Sequence, residues 1–412
     1  MPLQATSGAA SYDAFGGGVP VVPKYIEEYF SCFLYTGNGT SQTINNGIDI
    51  AGKGGLVWTK SRTTTAWHEQ TDTARGASVY LSSNATNAQN SSQPNHVTAF
   101  NSNGFSVGNE TDVNASGVPY VSWTWAKAPK FFDVVTWSGN SVSGRQISHA
   151  LGSTPGCIIV KCTSTSGDDW CVFHRSLGRS SAIFLNLTSA SGSSALWDGT
   201  DPTSTNFTVS SNGSVNGTGN TYVAYLFAHN AGGFGLTGTD NVITCGSYTG
   251  NSSSTGPVVT LGYEPQWLMI KDASATNDWF IIDNMRGLLS ETAGAAILYP
   301  NLSSAEFVSG ANIVTPTATG FKITTTSDAF NFSGRTYIYI AIRRGPMKVP
   351  TSGTSVFAPN AYSGTGTDTT ITSTGFAPDL FFSKARSFSS AFLNVMVIID
   401  ELNYVRVIDR FQ

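Results

Sequence analysis

Pro265-Gln266-Trp267-Leu268-Met269-Ile270-Lys271 reads as an apolar strand that follows a turn-forming proline and stops at a lysine. The same pattern stands at three other places: Leu56-Val57-Trp58-Thr59-Lys60, Ile158-Ile159-Val160-Lys161 after Pro155-Gly156, and Leu380-Phe381-Phe382-Ser383-Lys384 after Pro378-Asp379. The lysines recur at intervals of 101, 110 and 113 residues. Each lies 22 to 25 residues after an aromatic, a small hydroxylated residue and a glycine: Tyr35-Thr36-Gly37, Trp137-Ser138-Gly139, Tyr248-Thr249-Gly250 and Tyr362-Ser363-Gly364. Self-similarity at such a period marks a repeated structural unit.

Working outward, a tryptophan follows the lysine by seven to nine residues at Trp67, Trp170 and Trp279, and its strand ends at Gly76, Gly178 and Gly287. A short strand with a central Phe comes next (Phe105, Phe207, Phe321). An alternating strand then closes each copy: Tyr120–Trp125, Tyr222–Phe227 and Tyr337–Ile342. Short strands between Gly, Asn, Ser and Thr turns, without helical periodicity, predict an all-β fold. The expected architecture is tandem antiparallel β-sandwich modules, jelly-roll or lectin-like, each with two packed sheets. The boundaries read as an extended docking arm at 1–29, modules at 30–130, 131–235 and 236–346, and a partial fourth module at 347–412. The last copy stops before its Phe and closing strands, so the native chain is expected to continue past residue 412. The alternation of large residues in the closing strands suits a two-sided or interface position.

The repeat anchors are Lys60, Lys161, Lys271 and Lys384 with Trp67, Trp170 and Trp279. The tryptophans read as core anchors, with carbohydrate stacking as the rival. For the lysines the choice lies between a ligand-binding cation and a structural role, either guarding a sheet edge or pairing with a carboxylate of the next strand. The structural role is preferred. His174 aligns with Asp72 and Asp283, and a polar residue at a strand end suits a turn or cap. Residues 9–22 are rich in Gly, Ala and Pro and fit either an arm docked on another subunit or a frayed terminus. Lys24 to Phe30 fits a strand or one helical turn.

Charged residues make up 12% of the chain and the net charge is −4, which leaves no basic footprint for nucleic acid. No apolar run is long enough to span a bilayer, and no secretory signal is visible. The five cysteines lack zinc-finger or redox spacing and read as small buried hydrophobes without disulfides. No nucleophile elbow, phosphate loop or metalloprotease motif is present. The pair Asp168-Asp169 lies in a polar loop that recurs only as Asp278. No catalytic, cofactor or metal residue is therefore assigned, and no enzyme is expected.

The aromatic-Thr-Gly opening, the run Gly262-Tyr263-Glu264-Pro265-Gln266-Trp267-Leu268-Met269-Ile270-Lys271, then Asp278-Trp279 and Met285-Arg286-Gly287, resemble repeat modules in virion proteins of tailed bacteriophages, especially marine ones. The resemblance runs from about residue 30 to 412. It implies a structural tail-fibre, tail-tip or surface-appendage protein that contributes to host attachment and resides in the virion, assembled in the host cytoplasm. It also implies docking on other virion proteins through the N-terminal arm, a homotrimer, contact with a host surface glycan, and no cofactor. Module 1 departs from the pattern: it lacks the proline before its lysine strand and has a longer polar loop. A lectin-like module of a secreted or cell-surface protein is the alternative.

Overall fold

This is a computed structural model, and the residues it describes are 22–288, 294–348, 352–353, 357–363 and four short strands between 369 and 407. The chain divides into two compact units, Met1–Met347 and Lys348–Gln412. Lys384 lies outside the described residues. In the second unit Thr369–Ile371 pairs with Val405–Val407, and Phe381–Ser383 with Leu393–Met396, both antiparallel.

The first unit is all-β and repeats one plan. Its main antiparallel sheets run in the spatial order opening strand, closing strand, lysine strand, following strand. In module 1 these are Phe30–Thr36, Pro119–Ala126, Gly55–Ser61 and Glu69–Asp72. Module 2 uses Phe132–Ser138, Thr221–Ala228, Pro155–Cys162 and Cys171–His174, and module 3 uses Ile243–Thr249, Thr336–Arg343, Pro265–Asp272 and Trp279–Asp283. A smaller sheet carrying the Phe strand (Gly104–Val107, Asn206–Val209 or Gly320–Ile323) completes each sandwich. The lysine strands are interior strands, and every residue of Gly55–Ser61, Pro155–Cys162 and Pro265–Asp272 is buried. A strand covered on both faces reads as a continuous apolar run rather than an alternating one.

One face of each main sheet packs on its own small sheet. The other faces meet in a single core shared by the three modules, with Trp58, Trp123 and Trp125 from the first, Cys157, Ile159 and Phe227 from the second, and Trp267, Met269 and Ile281 from the third. Trp125 lies at the meeting point: its ring centroid is 5.5 Å from that of Trp267 and 6.2 Å from that of Phe227. The modules are therefore parts of one body and not beads on a string. All five cysteines are buried and unpaired.

The opening signature has a steric cause. The opening aromatic stacks on the closing tyrosine, with centroids 5.2 Å (Tyr35–Tyr120), 5.3 Å (Trp137–Tyr222) and 5.0 Å (Tyr248–Tyr337) apart. It donates to a carbonyl in a helical turn before the closing strand: Val113 O at 2.7 Å, Val215 O at 3.1 Å and Phe330 O at 2.8 Å. The glycine two residues on passes so close to that turn that a Cβ at Gly37, Gly139 or Gly250 would collide with the carbonyl oxygen of Ala115, Gly217 or Phe332. Asn114, Asn216 and Asn331 end these turns fully buried, and their side-chain oxygens accept the N–H of Asn38, Asn140 and Asn251. These asparagines escaped the sequence reading, although each stands six residues before its closing tyrosine.

The docking arm needs correction at its inner end. Ile26–Glu28 forms one 3-10 turn, Ile26 is fully buried, and Lys24 O accepts the N–H of Gly235 at 2.8 Å. The Glu27 carboxylate accepts the N–H of Met347 at 3.0 Å. Residues 22–29 thus fasten the module 2–3 linker and the end of module 3 on their own chain. Burying Ile26 stabilises this arrangement more than an exposed extended conformation would.

Candidate functional site

The repeated chemistry-bearing residues converge on the junctions between modules. Each lysine occupies the same register, Lys60 opposite Val121, Lys161 opposite Val223 and Lys271 opposite Ile338. All three are fully buried, and each donates to the carbonyl of the next residue: Ser61 at 2.8 Å, Cys162 at 3.0 Å and Asp272 at 2.8 Å. Lys161 also reaches Thr86 O of module 1 at 3.2 Å, and Lys271 reaches Thr188 O of module 2 at 3.1 Å. These lysines neither guard an edge nor pair with a carboxylate. The Lys161 and Lys271 ammonium groups gather carbonyls of two modules, and Lys60 gathers Ser61 O and Thr64 O of its own, because an ammonium carries three donors and a buried one needs acceptors. Burial pulls Lys60 and Lys271 down to about 8 and lowers Lys161 as well.

The tryptophan set is corrected at one position. Val160 pairs with Cys171, Ile270 with Phe280 and Thr59 with Glu69, so the residue matching Trp170 and Trp279 is His68, not Trp67. The backbone N–H of His68, Trp170 and Trp279 is accepted by the side-chain oxygen of Asn84, Asn186 and Asn301 in turn. Trp170 Nε1 donates to Ser82 O of module 1 at 3.0 Å, and Trp279 Nε1 to Phe184 O of module 2 at 2.9 Å. Trp67 is 40% exposed and stands where the other modules have Asp169 and Asp278. Those two carboxylates accept from Asn186 and Asn301, so the acidic loop is structural scaffolding.

The backbone repeats the junction three times. Gln89 N–H to Thr163 O, Ser191 N–H to Ala273 O and Glu306 N–H to Arg62 O join module 1 to 2, 2 to 3 and 3 to 1. The ring closes within one chain.

Strand-end residues carry the same circuit. Asp72 accepts from Arg75 Nε at 2.6 Å and from the Tyr225 hydroxyl of module 2 at 2.9 Å. Asp283 accepts from Arg286 Nε at 2.7 Å and from Trp123 Nε1 of module 1 at 2.8 Å. At the junction of modules 2 and 3 the matching residue, His174, lies 3.2 Å through Nε2 from Tyr339 O, and Leu177 replaces the arginine. The two aspartates also cap local turns, since Ala74 N–H and Met285 N–H donate to them. Both the cap and the tie between modules come from one carboxylate.

Module 1 buries a glutamate in its following strand, inside its sandwich. Glu69 takes the place of Cys171 and Phe280, and His96 Nδ1 lies 2.9 Å from both its oxygens. Glu110 is 3.9 Å from His96 Nε2, and the Tyr80 ring stacks 4.3 Å from the imidazole. Burial pushes Glu69 up to about 7, against the pull of His96. Burial opposes the charge on His96, but the Glu69 hydrogen bond and the Glu69, Glu110 and Asp112 charges outweigh it and raise the imidazole. With Glu69 only 1% exposed, this pair can share a proton but has no approach for a substrate.

The folded cluster therefore binds more protons than the unfolded chain from above the ordinary Glu range through neutrality. Its contribution favours folding at lower pH and is lost as pH rises through about 7. His68, His149, His174 and His229, all lowered by burial, tilt stability the other way in acid. The comparison of wild type with Glu69→Gln isolates the cluster. Wild type is expected to lose more thermal stability than the variant between about pH 5.5 and about pH 8. Parallel curves over that range would contradict the assignment.

Among the described residues no group of three or more His, Cys, Asp or Glu side chains is placed to hold a metal ion. No helix among them is long and apolar enough to cross a membrane. The model of a family described as a domain of unknown function (DUF7483) matches residues 26–346, well over half of the chain, and the chain belongs to that family. The match starts at buried Ile26 and spans the three modules. No curated protein and no solved structure matches the chain.

Proposed function

We propose that this member of the DUF7483 family is a non-enzymatic structural protein of a tailed-bacteriophage particle, a tail fibre or related surface appendage that contributes to host attachment. One observation carries the reading: the repeated Lys, Trp, Asn and Gly positions are engaged in stacking, turns and junctions that lock three modules into a ring. Repetition directed at rigidity rather than at a shared cleft suits a particle component. The hydroxyl- and amide-rich surface and the resemblance to phage virion repeats support the same reading.

The ring changes how such a protein would work. Reach along a string gives way to a stiff platform, and avidity comes from many copies on one particle. A homotrimer, the oligomer proposed here, must form through surfaces other than the three junctions, which one chain already fills. Docking on other virion proteins is proposed for residues 1–21, since 22–29 are folded onto this chain.

Antibody raised against the purified full chain is expected to label intact particles at a tail or surface appendage and to block their adsorption to host cells. Chain found only in soluble lysate, with particles unlabelled, would contradict the proposal.

A further inference from the structure

At the end of the main sheet where the lysine strand begins, the modules carry different side chains. In module 2 this end opens into a groove of about 470 Å³ beside Pro155, Pro202 and Ser153, within the usual span of small-ligand sites, about 300–1,000 Å³. Lys130 and Arg175 stand exposed on its walls, and neither side chain has an ion-pair or hydrogen-bond partner among the described residues. The one carboxylate there, Asp201, is held by Arg179 at 2.6 Å.

At the positions of Lys130 and Arg175, module 1 has Glu28 and Thr73 and module 3 has Asn241 and Asn284, while the cations near this end of those modules have partners. In module 3, Arg344 pairs with Glu264 at 2.6 Å and Arg343 with Asp240 at 3.6 Å. In module 1, Lys127 pairs with Asp133 at 2.8 Å and Lys53 donates to Glu28 O at 3.1 Å. Uncompensated positive charge in a groove of a chain with net charge −4 concentrates anions locally.

Two neutral polar groups line the same groove. Ser153 Oγ is buried and has no hydrogen-bond partner, a state that costs free energy unless a partner arrives. His229 Nδ1 accepts the N–H of Cys245 at 3.2 Å, which leaves the ring proton on Nε2 as a donor. Pro155 and Pro202 line the groove beside these polar groups.

We propose that the module 2 groove binds an anion-bearing sugar unit of a surface polysaccharide. Lys130 and Arg175 take the anionic substituent, the proline rings flank the sugar ring, and Ser153 and His229 meet its hydroxyls. This rests on the attachment reading and names the chemistry that attachment recognises. The anion can be a uronate carboxylate or a sugar phosphate.

The test titrates the full chain with a uronate-bearing oligosaccharide, a phosphate-bearing one and a neutral one of equal length, followed by calorimetry. At least one acidic probe is expected to bind, and which one does identifies the anion. Arg175→Glu and Lys130→Glu should each weaken that binding about tenfold. Lys322→Glu, the same charge change in module 3, should leave it within about twofold. Both groove residues are exposed, so the variants should keep the wild-type circular dichroism. Equal binding of the neutral probe, binding of no probe, or full binding by both groove variants would overturn the proposal. None of these outcomes touches the particle-labelling result, so the two readings fail separately.

Discussion

Asp283→Ala is expected to destabilise the ring by about 3–5 kcal/mol, the cost of breaking a buried ion pair from one side. Asp283 and the Arg286 side chain are fully buried, and the variant strands two donors at once, Arg286 Nε and Trp123 Nε1. Glu306, 3.1 Å from Arg286 Nη1, still compensates part of the charge, which places the effect toward the lower end of the range. The chain contains its own control. At the junction of modules 2 and 3 the corresponding residues are His174 and Leu177, so the pair is dispensable when both members change together. The double variant Asp283→His/Arg286→Leu should accordingly cost less than Asp283→Ala, as replacing a whole buried pair usually does. Denaturant unfolding of the three proteins checks the order. A double variant less stable than the single one would show that the arginine, and not its uncompensated charge, is what the junction needs.

Trp279→Ala and Trp170→Ala should each cost about 3–5 kcal/mol, the range for deleting a packed aromatic. Trp170 is fully buried and Trp279 is 3% exposed, and each donates from Nε1 into the preceding module. Trp67→Ala should stay within about 0.5 kcal/mol, as surface substitutions usually do. Equal thermal shifts for the three variants would undo the assignment of His68 as the matching residue.

That one-residue slip shows what the sequence could and could not convey. Trp67 and His68 are adjacent, and the loop between the lysine and the following strand varies in length, so spacing alone favours the tryptophan. Only the pairing of Thr59 with Glu69 separates them. The all-β class, the repeat and the strand order along the chain were legible because turns and apolar runs recur. The two-sided burial of the closing strands was legible too, in their alternating large residues. What the strands face was not legible, since a continuous apolar run is equally compatible with packing on a sheet of the same module or on a neighbouring module. The lysines misled for a related reason. A cation ending an apolar strand resembles an edge guard, but the carbonyls that satisfy it, Thr86 O and Thr188 O, lie more than 70 residues earlier. The groove of module 2 was not legible from the repeat, because its cations Lys130 and Arg175 break the pattern where modules 1 and 3 have Glu28, Thr73, Asn241 and Asn284.

In a closed ring the three modules share one core and open together. Hydrogen exchange of the full chain measures this directly, by comparing the slowest amides of the closing strands Pro119–Ala126, Thr221–Ala228 and Thr336–Arg343 in wild type and in Asp283→Ala. A closed ring predicts one common opening free energy in wild type and an equal drop in all three strands in the variant, including the module 2 strand that Asp283 never touches. Protection lost in modules 3 and 1 while Thr221–Ala228 keeps its wild-type value would contradict the ring and return the modules to independent units.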